Sequence, residues 1–131
     1  MTLLDTNVLI HYLKGDALIV ERIQASSKSD LAVPCIALFE LEYGTLKVSG
    51  TRRRDRLDAV LKDLHQVPFD SAAALASARI RIHLEGRGIA IGPLDLLIAG
   101  TALSRAALLV TNNAREFSRV PGLRVADWRS A

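Results

Sequence analysis

The chain has 131 residues, a formal net charge of +3 and a sequence pI near 9.4. This length predicts a single domain over residues 1–131, large enough to fold without disulfides or metals. Cys35 is the only cysteine, which excludes an internal disulfide and a zinc site built from cysteines. No apolar stretch approaches the ~18 residues of a membrane span, and no basic leader opens the sequence, so we expect a cytoplasmic protein.

The apolar residues are mostly aliphatic. They make up 50% of the chain and aromatic residues only 5%, which is typical of buried parallel strands and the helices that cover them. Arginine outnumbers lysine, and guanidinium groups bind phosphate through paired hydrogen bonds. The arginine excess is therefore compatible with a nucleic-acid partner, although a GC-rich genome would produce the same bias.

Strands and helices alternate in the N-terminal half. Residues 2–4 form a strand-like segment that runs into Asp5-Thr6-Asn7, polar residues suited to the N-terminus of a helix. Hydrophobic spacing and turn residues predict, in order, a strand at 2–4, helices at 6–13 and 16–24, a strand at 31–33, and helices at 36–48 and 52–65.

The C-terminal half continues the alternation. We predict a short strand at 66–69, a helix from Asp70 or Ser71 to about Glu85, a helix opening at Gly92-Pro93, a strand at 108–111, a helical turn at 115–118 and a strand at 124–126. This order predicts an α/β fold of three layers, in which a central, twisted, mostly parallel sheet is flanked by helices.

Acidic residues recur where predicted strands end and helices begin. These acids are Asp5, Glu40 or Glu42, Asp95, and Glu116. Helical periodicity does not choose between Glu40 and Glu42. Because the carboxyl ends of parallel strands meet at one edge of a sheet, these acids could gather in one pocket. Like charges in a pocket repel one another, so such a group persists with a bound cation or with shared protons.

Each acid also has a purely structural interpretation. Asp5 suits a helix N-cap, and Asp95 near a helix N-terminus is favoured by the helix dipole. Glu116 fits a solvated turn, and Asn112 and Asn113 are common turn residues. If the acids do converge, their oxygen ligands without a Cys or His cluster select Mg²⁺ or Mn²⁺, as in metal-dependent nucleases.

Four segments together resemble the PIN-domain ribonucleases, and within them the VapC type, the toxins of bacterial type II toxin–antitoxin pairs. They are Leu4–Asn7, Glu40–Gly44, Gly92–Gly100 and Val110–Phe117. The resemblance covers nearly the whole chain in order, and it implies a PIN-like fold.

The resemblance also assigns site residues. Asp5 and Asp95 match the principal metal-binding aspartates, and Glu40 matches the second acid through its Glu-x-x-x-Gly pattern. Where many relatives have a fourth acid, an Asp, this chain has Asn113, and Glu116 three residues later is the alternative source of that charge. Residues expected to orient the acids or metal-bound water are Thr6, Asn7 and Thr111.

The activity implied by the resemblance is Mg²⁺-dependent endonucleolytic cleavage of structured RNA, possibly tRNA, leaving a 5′-phosphate and a 3′-hydroxyl. Mn²⁺ is expected to substitute for Mg²⁺. The implied partners are a second copy of the chain and a cognate antitoxin, whose complex with the toxin binds operator DNA. Candidate RNA-binding residues are Arg52, Arg53, Arg54 and Arg115.

Other classes fit less well. A haloacid-dehalogenase-type phosphatase needs a second Asp where this chain has Asn7, and a receiver domain needs paired early acids and a late Lys. The remaining alternative is a PIN-like protein that binds nucleic acid with weak or no cleavage and acts on DNA with an antitoxin. Asn113, in place of an acid, is the feature that supports it.

Overall fold

The computed structural model describes residues 1–129. Within this part of the chain, five strands form one sheet: β1 (Thr2–Leu4), β2 (Leu31–Pro34), β3 (His65–Val67), β4 (Leu108–Val110) and β5 (Arg124–Ala126). Their spatial order is β3-β2-β1-β4-β5, and every neighbouring pair is parallel. The predicted α/β architecture with a parallel sheet is confirmed.

Helices connect the strands, as parallel pairing requires. Over residues 1–129 they are α1 (Thr6–Leu13), α2 (Ala17–Ala25), α3 (Cys35–Leu46), α4 (Arg52–Leu61), α5 (Ser71–Gly86), α6 (Pro93–Ser104) and α7 (Ala114–Phe117). No helix in this range is both long and apolar enough to cross a membrane.

Strand β1 lies at the centre of the sheet, between β2 and β4. Leu3 and Leu4 are fully buried, as expected for a strand with both faces covered. In the register between β1 and β4, Leu4 is opposite Val110, and the amide of Asp5 donates to the Val110 carbonyl over 2.9 Å. The two strands therefore end side by side, and the residues that follow them are neighbours.

The core is one aliphatic cluster with a single large aromatic side chain, Phe117, fully buried in it. Its other fully buried large members include Leu9, Ile19, Leu41 and Leu57, which come from α1 to α4. These helices are therefore fixed by hydrophobic burial, which positions the polar residues at their N-terminal ends.

Helices α5 and α6 approach each other closely at Gly100. A Cβ at this position would lie 1.9 Å from Ser77 Oγ and 2.8 Å from the Ser77 backbone nitrogen. Only glycine fits, and its absent side chain lets α6 pack tightly enough to bring its N-terminus to the sheet edge.

Helix α4 is shorter than predicted. Leu57, Val60 and Leu64 are buried, as the apolar spacing indicated, but the helix ends at Leu61 and Leu64 lies in the following turn. His65 then begins β3, opposite Ala32 of β2. Pairing with the neighbouring strand ends the helical segment, which local periodicity does not reveal.

Candidate active site at the carboxyl edge of the sheet

Asp5 is the most buried of the predicted acids, with 2% of its surface exposed. Its Oδ1 accepts a 2.8 Å hydrogen bond from the Thr6 amide, which caps α1, and its Oδ2 accepts a 2.7 Å bond from Thr111 Oγ1. Burial raises the pKa of Asp5, an effect that the two hydrogen bonds oppose and the charges of Glu40 and Glu116 reinforce. Asp5 is thus both a helix cap and a member of an acidic group.

Glu40 is linked to Asp5 through one residue. Thr6 Oγ1 donates a 2.8 Å hydrogen bond to Glu40 Oε1, while the Thr6 amide donates to Asp5. Glu42 lies elsewhere on α3, where both of its carboxylate oxygens accept from Arg54 over 3.0 and 2.7 Å. Of the two candidates, Glu40 is the one beside Asp5.

Asp95 enters the group from the first turn of α6, after Gly92 and Pro93. A Cβ on Gly92 would lie 3.2 Å from Asp95 Oδ2, so glycine leaves room for the carboxylate. Burial raises the pKa of Asp95 to about 6, helped by the negative charges of Asp5, Glu116 and Glu40 in that order. Four acids from distant parts of the chain therefore act on one another at one sheet edge.

Glu116 is half-buried and held by two donors. Its Oε1 accepts a 3.0 Å hydrogen bond from the Gly92 amide, and its Oε2 accepts from the Asn113 side-chain amide. The Asn113 backbone amide in turn donates to Thr111 Oγ1 over 3.0 Å. The interpretation of Glu116 as a freely solvated turn residue does not fit these contacts, which join α7 to the loop before α6.

The donor chemistry of this group fits a hard divalent cation, because four carboxylates supply only oxygen ligands. Hydrogen bonds already hold three of them in place. Within residues 1–129, no three His, Cys, Asp or Glu side chains are arranged, as they stand, to hold a metal ion, so binding one would require these carboxylates to reorient. We call the group formed by Asp5, Glu40, Asp95 and Glu116 the acidic pocket. Asn7 is exposed at its rim, where it lines the same cavity as Thr6 and Glu40.

The predicted RNA-binding arginines have different surroundings. Arg54 forms ion pairs with Glu42 and Asp58, and Arg53 Nε donates to Thr45 Oγ1 over 3.2 Å. Arg52 is exposed and forms no ion pair in the described part of the chain.

Arg115 is nearer the acids. It lines a shallow cleft with Asn113, Glu116 and Arg119. Arg119 was missed in the sequence, although its position four residues after Arg115 is a signal that could have identified it. The two guanidinium groups place positive charge beside the acidic pocket.

The PIN-domain family model matches residues 2–123. Among curated relatives, the tRNA(fMet)-specific endonuclease VapC of Salmonella typhimurium is 35% identical over 127 residues, covering 96% of each chain. The Ribonuclease VapC2 of Rickettsia felis is 33% identical over 129 residues, again covering 96% of each chain.

Solved structures give the same result. VapBC2 from Rickettsia felis, bound to a DNA fragment from its promoter, superposes with a TM-score of 0.91 at 32% identity, over 97% of this chain and 98% of that one. DNA-bound VapBC from Salmonella typhimurium superposes with a TM-score of 0.91 at 37% identity, over 97% of both chains. With its acids gathered at the carboxyl edge of a parallel sheet, the chain belongs to the PIN-domain family, and its relatives there are the VapC ribonucleases.

Proposed function

We propose that this protein is a divalent-metal-dependent endoribonuclease, the toxin of a type II toxin–antitoxin pair. The observation that carries the proposal is the convergence of Asp5, Glu40, Asp95 and Glu116 at one edge of the sheet, where burial and the neighbouring carboxylates raise the pKa of Asp5 and of Asp95. Carboxylates gathered in this way repel one another, and a bound cation would neutralise their charge. The VapC ribonucleases to which the chain is similar support the reaction class.

The four carboxylates would hold Mg²⁺, or Mn²⁺ in its place, and Asn113 Oδ1 is the neutral oxygen available to assist them. A bound cation of this class lowers the pKa of the attacking water and stabilises charge on the leaving oxygen. The expected products are a 5′-phosphate and a 3′-hydroxyl.

The chain's own contribution is to hold the acids in position before substrate arrives. Thr6 and Thr111 fix both oxygens of Asp5, Thr6 also orients Glu40, and the Gly92 amide holds Glu116. Such supporting hydrogen bonds tune the affinity of a metal site and the orientation of its ligands. Asn7, at the rim, is available to contact the substrate.

The substrate class we propose is structured RNA, including tRNA. One relative is named a tRNA(fMet)-specific endonuclease, which supports this choice. Arg115 and Arg119 beside the pocket, with Arg52 and Arg53 on α4, would bind the phosphates, so affinity should fall as salt rises.

We further propose that the chain acts as one domain in the cytoplasm, forms a homodimer, and binds a cognate antitoxin that covers the acidic pocket. Operator DNA would be bound only through that antitoxin. Two similar structures contain VapBC with DNA, which supports this assembly.

The alternative function is binding of nucleic acid with weak or no cleavage, for which the neutral Asn113 is the favouring feature. The deciding assay is cleavage of structured RNA in Mg²⁺, in EDTA, and by the Asp5→Asn and Asp95→Asn variants. We expect cleavage only by the unaltered protein with Mg²⁺. Cleavage that survives EDTA or both substitutions rejects the metal-dependent mechanism, and an inactive but RNA-binding protein establishes the alternative.

A further inference from the structure

We propose that Phe39 and Tyr43 form a stacking platform for an unpaired base of the RNA, next to the acidic pocket. We call these two side chains the aromatic platform. The inference rests on the proposed ribonuclease function and adds a nucleobase subsite to it.

The first observation is exposure. Phe39 is 58% exposed and Tyr43 is 59% exposed, whereas the other aromatic side chains, those of Tyr12, Phe69, Phe117 and Trp128, are buried or half-buried. Phe39 and Tyr43 are four residues apart on α3, so their rings lie on the same side of the helix, one turn from each other. In a chain with few aromatic residues, the two that face water are adjacent.

The second observation is location. Phe39, Tyr43 and Glu40 line one cavity of about 360 Å³, together with Thr6 and Asn7 of α1 and Leu94 of α6. This volume falls in the range of small-ligand pockets, about 300–1,000 Å³. The platform and the Glu40 carboxylate therefore open onto the same space, within reach of one bound nucleotide.

The third observation is charge. Lys47 Nζ lies over the Tyr43 ring in a cation–π contact, 5.0 Å from its centroid. None of the ion pairs within residues 1–129 involves Lys47. An RNA nucleotide presents a flat apolar base and a negative phosphate, which complement an aromatic ring and a neighbouring ammonium group. The loops of structured RNA supply unpaired bases that can stack in this way.

An apolar protein segment is the competing occupant of this face. Leu46 extends the exposed surface of α3 and is 77% exposed, but it does not line the cavity with Glu40. The exposed large apolar side chains that line the cavity with Glu40 are both aromatic, which favours a base. Replacing Phe39 or Tyr43 by leucine keeps an apolar contact but removes the ring on which a base could stack. The leucine variants therefore distinguish a bound base from a bound apolar protein segment.

The experiment measures equilibrium binding in EDTA, where cleavage is not required. The probes are a short oligouridylate and the same ribose–phosphate chain without bases. Phe39→Leu and Tyr43→Leu should each weaken oligouridylate binding about 5- to 150-fold, the range for one lost base stack, and leave the base-free chain unaffected. Phe39→Tyr and Tyr43→Phe keep an aromatic ring and should bind oligouridylate as the unaltered protein does. Ile82→Ala, at an exposed aliphatic residue of α5, is the control and should leave binding unchanged.

Unchanged oligouridylate binding by both leucine variants overturns the proposal, as does an equal loss for both probes. Antitoxin binding that is lost in Phe39→Ala and retained in Phe39→Leu, with no base-dependent effect on RNA, instead identifies a protein-docking face. Because the assay needs no cleavage, an inactive nuclease that shows the base-dependent loss rejects the proposed function and leaves the platform standing.

Discussion

Thr111 Oγ1 donates a 2.7 Å hydrogen bond to Asp5 Oδ2 across 106 positions of sequence. The bond follows from the parallel register that sets Leu4 opposite Val110, so that the residues after both strands meet. The same hydroxyl accepts from the Asn113 amide. Thr111 is thus the link between the first acid and the loop that carries the last one.

Replacing Thr111 by Val keeps the shape of the side chain and removes the hydroxyl. We expect RNA cleavage to fall about 10- to 100-fold and the Mg²⁺ requirement to rise, as for other lost supporting bonds in metal sites. Thr111→Ser should retain most of the activity. Thr101→Val is the control, because Thr101 is also fully buried but its hydroxyl donates to the Leu97 carbonyl within α6, away from the acids. Equal Mg²⁺ titrations for Thr111→Val and Thr101→Val would refute a role for the Asp5 contact.

Replacing Glu116 by Gln tests the fourth acid. The Gln side chain can still accept from the Gly92 amide, but it removes one negative charge from the pocket. We expect the Mg²⁺ concentration for half-maximal cleavage to rise, by about tenfold. Glu85→Gln, at an exposed acid paired with Arg81 on α5, is the matched control. An unchanged Mg²⁺ requirement in Glu116→Gln would leave Glu116 with a structural role only.

The raised pKa of Asp95 should make the free energy of unfolding of the metal-free protein depend on pH. A carboxyl with a folded pKa of about 6, against 3.8 in the unfolded chain, stabilises the fold fully only below the lower value and loses that contribution as pH rises through the upper one. The shift corresponds to about 3 kcal/mol, which partial exposure reduces to about 1–2 kcal/mol. The free energy of unfolding of Asp95→Asn relative to the unaltered protein should therefore increase between pH about 4 and 7 in EDTA.

Asp70 provides a control in which the pKa shift has the opposite direction. The Ala73 amide and Arg105 lower the pKa of Asp70, so its stabilising contribution is present above the unfolded pKa and is lost as pH falls. Chemical denaturation of both Asn variants across the pH range, with and without Mg²⁺, checks the two directions. A pH-independent difference between Asp95→Asn and the unaltered protein would contradict the electrostatic account of the pocket.

The candidate RNA-binding arginines should differ in their effect on RNA affinity, according to whether an acidic side chain already pairs with them. Arg52→Ala and Arg115→Ala should each weaken RNA binding and lower the slope of log affinity against log salt by about 0.7–1, the effect of one lost phosphate contact. Arg54→Ala should change that slope less, because Glu42 and Asp58 already pair with Arg54. Salt titrations of binding distinguish these results. A larger effect for Arg54 than for Arg52 and Arg115 would show that the ion pairs open to admit RNA.

Gly100→Ala should destabilise the fold by about 1–3 kcal/mol, as overpacking does, because its Cβ would meet both the side chain and the backbone of Ser77. Adding Ser77→Ala relieves only the side-chain part of the clash. Gly86→Ala is the control: its Cβ would meet nothing within 4 Å. Thermal denaturation that shows equal stability for Gly100→Ala and Gly86→Ala would contradict the close approach of α5 and α6.

Local sequence predicted most helices and strands because their signals lie within one or two turns. Asp70 before α5 and Pro93 at the start of α6 are such signals: the Asp70 side chain caps α5, and Pro93 is the first residue of α6. Aliphatic runs such as Leu108–Val110 likewise predicted a buried strand. Local signals fail where an element's end is set by pairing with a distant strand. The end of α4 is such a case, because His65 pairs with Ala32 of β2.

The sequence by itself determined the fold class and the set of acids, because hydrophobic period and strand–helix order depend on nearby residues. Only the tertiary structure decided which acids meet, since that depends on sheet register and helix packing across more than a hundred residues. In the folded protein Glu40 accepts a hydrogen bond from Thr6, whereas Glu42 accepts from Arg54. Glu116 accepts from the Gly92 amide. The tertiary structure also left Phe39 and Tyr43 exposed to water, because whether an apolar side chain on a helix is buried depends on what packs against it in the fold.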